Sequence, residues 1–82
     1  MTNVEVFGKI KHVDEKIYLE VERSYKDQKG IIEKDLLLCR HWSKQKRNIF
    51  SIIKDDTSVL IKGRLESEND QAIIIVEEFR AF

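Results

Sequence analysis

An 82-residue chain has room for one domain and one small core; it buries only about 60% of its unfolded surface and would gain from self-association. Its 15 basic and 15 acidic residues cancel, which excludes the overall basic excess carried by many nucleic-acid binders. One cysteine excludes an intrachain disulfide, and the sequence holds no signal-peptide run and no membrane-spanning apolar stretch, so a soluble, cytoplasmic protein with no membrane partner is expected.

The charge is unevenly spread. Residues 24–54 hold eight basic side chains against three acidic, while residues 55–82 hold three against seven. A basic middle beside an acidic end predicts one positive face if the two regions fold apart.

In chain order, "NVEVFGKIKHV" (3–13) alternates, with Val4, Val6, Gly8 and Ile10 on one side. "KIYLEVER" (16–23) alternates more cleanly, Ile17, Leu19 and Val21 against Tyr18, Glu20 and Glu22. Period 2 is the mark of a half-buried strand, and the short charged link between these two predicts a hairpin. Residues 24–34 read as a polar loop turning at Gly30, and "DLLLCRHW" (35–42) as a third strand. In "SKQKRNIFSIIK" (43–54) the period changes: Ile49, Ile52 and Ile53 recur at helical spacing behind Ser43 as N-cap, which predicts one short helix packed on the sheet. "SVLIKGRLE" (58–66) and "AIIIVEEF" (72–79) are the fourth and fifth strands, joined by "SENDQ". The order β-β-β-α-β-β, with short antiparallel strands, predicts an all-β fold: a five-stranded Greek-key barrel of the OB type, one domain over residues 1–82, with one helix between strands 3 and 4. A plain α+β sheet with one helix is the alternative.

The third strand carries the most information. Alternation puts Leu36, Leu38, Arg40 and Trp42 on one face, and Leu37, Cys39 and His41 on the other. Burying an unpaired guanidinium is very costly, so the Arg40 face is expected outside, and Trp42 goes with it. The competing reading of Trp42 is a plug in the core or in a subunit interface. Phe50, Phe79 and Phe82 read as core or interface residues, and Tyr18, among Glu20 and Glu22, as a poor surface for a base.

Catalytic chemistry is thinly supplied. Cys39, His41 and His12 fall short of the four ligands of a structural zinc site. Cys39 reads as a buried inert thiol rather than a nucleophile. Gly8, Gly30 and Gly63 are isolated and form no phosphate-binding loop. No enzymatic activity, metal or cofactor is expected.

Several stretches, taken in order, resemble the bacterial single-stranded DNA-binding protein (SSB) family, in particular the short primosomal replication protein N type. "NVEVFGKI" is similar to the family's opening strand through Asn3, Val4, Gly8 and Ile10. "YLEVERSYKD" is similar to its second strand, with an arginine and a following aromatic. "EKDLLLCRHWSK" resembles its "D-F-I-x-C-x-x-W-x-K" segment through Asp35, Cys39, Trp42 and Lys44. "SVLIKGRLE" resembles its "V-x-V-x-G-R-L" strand through Val59, Gly63, Arg64 and Leu65. The chain departs from the family at Leu36, where an aromatic is usual, and at Asp56, where the family has glycine. Its fourth connection is short and lacks an aromatic, and the sequence has no acidic tail.

The resemblance implies a homo-oligomer, dimer or tetramer, assembled along the first strand, and sequence-tolerant binding of single-stranded DNA, or RNA. Such binding needs flat side chains for bases and cations for phosphates. Trp42 and Tyr25 match aromatic positions of the family and are the stacking candidates; the competing reading of Tyr25 is that it closes one barrel end. Arg40, Lys26, Lys44 and Arg64 are the phosphate-contact candidates, with Lys29, Lys34, Lys46 and Lys54 as weaker ones. The departures lower the expected affinity, and no tail-mediated recruitment of repair enzymes is expected. A second reading belongs to another class: an OB-fold interaction or scaffold module that has lost nucleic-acid binding, with Leu36, Leu38 and Trp42 forming an apolar patch for another protein.

Overall fold

The computed structural model of the chain describes residues 2–26, 28–42 and 52–82, apart from the side chains of Ser24 and Tyr25. Within these residues lie β1 (Thr2–Val13), β2 (Lys16–Lys26), β3 (Ile32–His41), β4 (Ser58–Glu68) and β5 (Gln71–Ala81). They form a closed barrel in the order β1-β2-β3-β5-β4, with β4 pairing back onto β1. The all-β, five-stranded barrel matches the expectation from alternation. Antiparallel pairing throughout does not: β3 and β5 run parallel, Cys39 opposite Ile74 and Arg40 opposite Ile75. An odd number of strands cannot alternate direction around a closed ring, so one pairing has to be parallel.

The inward half of each alternation builds the core. Ile10, Leu19, Cys39, Val59, Ile61, Ile74 and Val76 are buried together, and Val4, Val6, Ile17, Val21, Leu37, Ile53 and Phe79 pack around them. Phe82, read from the sequence as core or interface, is 69% exposed and meets Phe7 on the outer surface, ring centroids 5.9 Å apart. Phe50 lies outside the described residues.

Two tight hairpins shape one end of the barrel. Asp14 and Glu15 (φ 50° and 65°) join β1 to β2; Asn69 and Asp70 (φ 52° and 63°) join β4 to β5. Positive φ at both central residues is the type I′ geometry that matches strand twist, and Asn and Asp tolerate it. The β4–β5 connection is therefore two residues, shorter than the five of "SENDQ". The β2 and β3 strands also run further than the sequence suggests, to Lys26 and back from Ile32. Arg23 explains the extension: its Nη1 reaches Glu33 Oε2 at 2.6 Å, while Nε and Nη2 hold both oxygens of Asp35 at 3.0 and 2.9 Å.

Closure brings backbones very close at Gly63. A Cβ there would stand 1.9 Å from the carbonyl oxygen of Ile75. Directly alongside, the β4–β5 register shifts: Lys62 pairs with Glu78 but Gly63 with Val76, leaving Glu77 as a bulge. The bulge resets the alternation, so that Ile74, Val76 and Phe79 all point inward.

Between β3 and β4, the expected helix over residues 43–54 has no counterpart among the described residues. Residues 43–51 lie outside them, and residues 53–57 form a turn strapped to β1. The His12 amide donates to Asp55 Oδ1 (2.8 Å), the Asp56 amide to the Ile10 carbonyl (2.8 Å) and the Ile10 amide to the Thr57 carbonyl (3.0 Å). Lys11 pairs with the Asp56 carboxylate. Asp56 sits at φ 66°, the left-handed backbone that glycine takes without cost.

Two stability predictions follow from these backbone sites. Gly63→Ala should cost at least about 1–3 kcal/mol, an overpacking penalty, and lower the thermal midpoint by roughly 4–8 °C per kcal/mol; an unchanged midpoint would contradict the close approach to Ile75. Asp56→Ala should be less stable than Asp56→Gly by about 1 kcal/mol in urea unfolding, since only the alanine carries the left-handed Cβ penalty. Equal midpoints would remove that account of the turn.

Candidate nucleic-acid interface

The outer face of β3 is set by what its inner face cannot hold. Cys39 points into the core at 5% exposure, and burial pushes its thiol up to about 12, so it stays protonated and unreactive at neutral pH. One residue on, Arg40 turns outward and its Nη2 meets Glu68 Oε2 at 2.8 Å. Trp42, just past the strand, is 60% exposed. Its amide donates to the Val76 carbonyl at 2.9 Å, which ties the backbone under the indole to β5. The His41 ring lies beside the indole, centroids 6.1 Å apart and planes inclined by 30°. Leu36 is 52% exposed on the same face.

Register extends this face around the barrel. Arg40 is opposite Ile75, Ile75 opposite Arg64, and Arg64 opposite Asn3, so two guanidiniums flank one isoleucine in a single cross-strand row. Arg64 is half-buried, with Glu66 Oε2 at 3.5 Å from Nη1 and Glu77 Oε2 at 3.7 Å from Nε. A second row runs Lys11, Tyr18, Leu38, Ile73. A third places Glu20 between Lys9 and Leu36, and Lys34 and Lys11 approach the Glu20 carboxylate at 3.4 and 4.0 Å.

Between the two tight hairpins the wall opens into a cleft of about 440 Å³. Ile17, Leu38 and Ile73 give it an apolar floor, Lys16 and Arg40 line it with positive charge, and the His41 imidazole lies beside them. Glu15, Glu68, Asn69 and Gln71 come from the turns and their flanks.

The six candidates of the sequence reading fare differently. Arg40 points outward on β3 and lines up with Arg64 through Ile75, while Trp42 stands exposed just past the strand with its ring beside His41. Lys26 is exposed at the far end of β2. Tyr25 falls in β2, with its side chain outside the described residues, and Lys44 lies wholly outside them. The sequence marks none of Lys16, Glu68, Asn69 and Gln71, because polar residues at turns look alike until the hairpins are brought together. Tyr18 was legible as outward-facing. Its neighbours Glu20 and Glu22 argue against it only if Glu20 keeps its charge uncompensated, and two lysines surround that carboxylate.

Fold and surface together define a small closed β-barrel with an exposed indole, a mixed-charge outer face and a cleft between two hairpin turns. Compared with protein-family models and with curated proteins, the sequence matches none.

Arg23 does not belong to the open cations of this face, because it is committed to Asp35 and Glu33. Its hydrogen bonds hold the Asp35 carboxyl below the ordinary 3.8. A depressed carboxyl contributes stability that is in place above the unfolded value and lost as pH falls through the folded one. In Arg23→Gln the Asp35 titration midpoint, followed by side-chain carboxyl NMR, should rise. A midpoint that stays low would assign the shift to something other than Arg23.

Proposed function

We propose that this chain is a non-enzymatic OB-fold module that binds single-stranded DNA, or RNA, weakly and without strong sequence preference. The strand order β1-β2-β3-β5-β4, closing on β1, supports the OB assignment, and the residues shared with the SSB family support the ligand. The observation that carries the reading is an exposed indole two residues from Arg40, a guanidinium that lines the cleft between the β1–β2 and β4–β5 turns. OB-folds use the strand 2–3 face and these two connections for oligonucleotides. Trp42 stacks a base, and Arg40 and Arg64 meet phosphates on either side of Ile75. Tyr25, Lys26 and Lys44 continue the path in the same proposal. The setting is cytoplasmic, and the module works as a homo-oligomer, for which exposed Phe7, Leu36 and Phe82 supply apolar surface.

One observation favours the scaffold reading. Arg40 and Arg64 both face carboxylates of their own chain, and Leu36 and Trp42 both stand exposed, which suits a protein partner.

Trp42 is the chain's one tryptophan, so its fluorescence reports this face alone. Titration with oligo-dT at low salt should quench it, with affinity falling by a log–log slope of about −0.7 per phosphate neutralised. With a labelled oligonucleotide and anisotropy, Trp42→Ala should weaken binding by about 1–3 kcal/mol, and Arg40→Ala should weaken it and flatten the salt slope. No change in fluorescence or anisotropy up to roughly tens of micromolar protein, a concentration within the affinity range of even non-specific contacts, would leave the scaffold reading in possession.

A further inference from the structure

We infer that the β4–β5 hairpin is a built-in competitor for the phosphate sites: its carboxylates occupy the guanidiniums that an incoming strand would use, so binding proceeds by exchange of carboxylate for phosphate. The inference rests on the nucleic-acid reading and concerns how that same site is tuned. Three carboxylates are involved, all from this hairpin. Glu68, the last residue of β4, holds Arg40 of β3 at 2.8 Å. Glu66 on β4 and Glu77 on β5 approach Arg64 at 3.5 and 3.7 Å.

The placement of each acid has a structural cause. Glu66 and Arg64 are two apart on β4 and share its outer face. Glu77 reaches Arg64 because the bulge beside Gly63 inserts it into β5 without a β4 partner. Glu68 reaches across to β3 because β4 runs on to the two-residue turn at Asn69 and Asp70. A longer connection that ended β4 at Glu66 would leave Arg40 without that partner.

Carboxylate and phosphate offer the same recognition to a guanidinium: paired anionic oxygens that accept its N–H donors. The side chains of Arg40 and Glu68 are 54% and 47% exposed, so water and salt screen the pair and it is weak enough to be displaced. While it lasts, Arg40 presents little net charge to a polyanion. A strand that supplies a base for Trp42 together with a phosphate for Arg40 gains stacking on top of the exchange; an isolated phosphate or a smooth polyanion gains only the exchange. The hairpin therefore lowers both affinities by the same factor, and a ligand that stacks keeps usable binding where one that offers charge alone does not.

The test compares wild type, Glu68→Gln, Glu78→Gln and the double variant Glu68→Gln/Arg40→Ala, each checked for an unchanged fold by circular dichroism. Glu78→Gln changes the net charge equally, at a residue whose cross-strand partner is Lys62. Binding of labelled oligo-dT is measured by anisotropy over a salt series, and heparin serves as the polyanion without bases. Glu68→Gln should tighten oligo-dT by about two- to fivefold at low salt, the reach of an exposed ion pair, and steepen the salt slope by about 0.7, one further phosphate. Heparin should gain by a similar factor, Glu78→Gln should tighten neither ligand in this way, and Arg40→Ala should abolish the gain. If wild type binds but Glu68→Gln is no tighter than Glu78→Gln, or keeps its gain without Arg40, the competitor inference falls and the nucleic-acid reading stands. If no protein in the set binds oligo-dT, the reading itself falls and takes the inference with it.

Discussion

Closing five strands into so small a ring leaves no room for a side chain where β4 crosses β5, and most of the molecule follows from how Gly63 answers that demand. With only a hydrogen at Cα, the β4 backbone moves against the Ile75 carbonyl, and β5 responds by bulging at Glu77. The bulge converts an uninterrupted apolar run into two inward-facing sets. Ile74 and Val76 fill the barrel on one side of it, and Phe79 packs from the other. Ile73 and Ile75, out of phase with them, are each only 5% exposed on the outer side. Their side chains are covered by their neighbours on that side, Ile75 lying between Arg40 and Arg64. The local accommodation at one glycine thus reaches the core and the candidate site together.

The part of this that sequence could reveal is the part that depends on period 2. Ile10, Leu19, Cys39, Val59 and Ile61 fall where alternation puts them, because a strand residue one place out of phase would carry its whole strand's apolar set into water. Arg40 shows the same logic acting on function: the cost of a dry guanidinium sets the phase of β3 and so delivers Trp42 to the surface. Long-range geometry was not legible in this way. The parallel β3–β5 pairing depends on the count of strands in a closed ring, which no local window contains. The extension of β2 and β3 depends on Arg23 meeting Asp35, twelve residues on. The bulge at Glu77 is silent in "IIIVEEF", where four consecutive apolar residues satisfy either phase.

Asp56 shows how the choice of a turn residue becomes intelligible once the backbone is known. Its φ of 66° is glycine-like. An aspartate is among the few other residues that enter this region, since its short carboxylate can be used locally. Here the carboxylate is engaged by Lys11, and the same contact lowers its pKa from the ordinary carboxylate value. The aspartate keeps the turn and adds a tie to β1. At the other end of β4, its pairing with β5 runs through to Glu68 and Gln71 and leaves a two-residue turn.

That short hairpin changes what net charge means for this surface. A count over the whole chain gives zero, but the charges do not act as a count. Glu20 sits within reach of Lys11 and Lys34, Arg40 holds Glu68, and Arg64 lies between Glu66 and Glu77. The outer wall is a lattice of partly exposed ion pairs, one at 2.8 Å and the others at 3.4–4.0 Å, each weak and each replaceable. On the proposed reading, such a wall exerts little long-range pull on a polyanion, so capture depends on contact terms, above all the flat indole beside Arg40. A neutral total and a nucleic-acid ligand are then compatible, provided that affinity comes from stacking and local exchange more than from an electrostatic field. The same lattice would bind protein poorly at its paired charges and well only at Leu36 and Trp42. The two functional readings therefore differ in whether the arginines take part, and that question can be put to Arg40 directly.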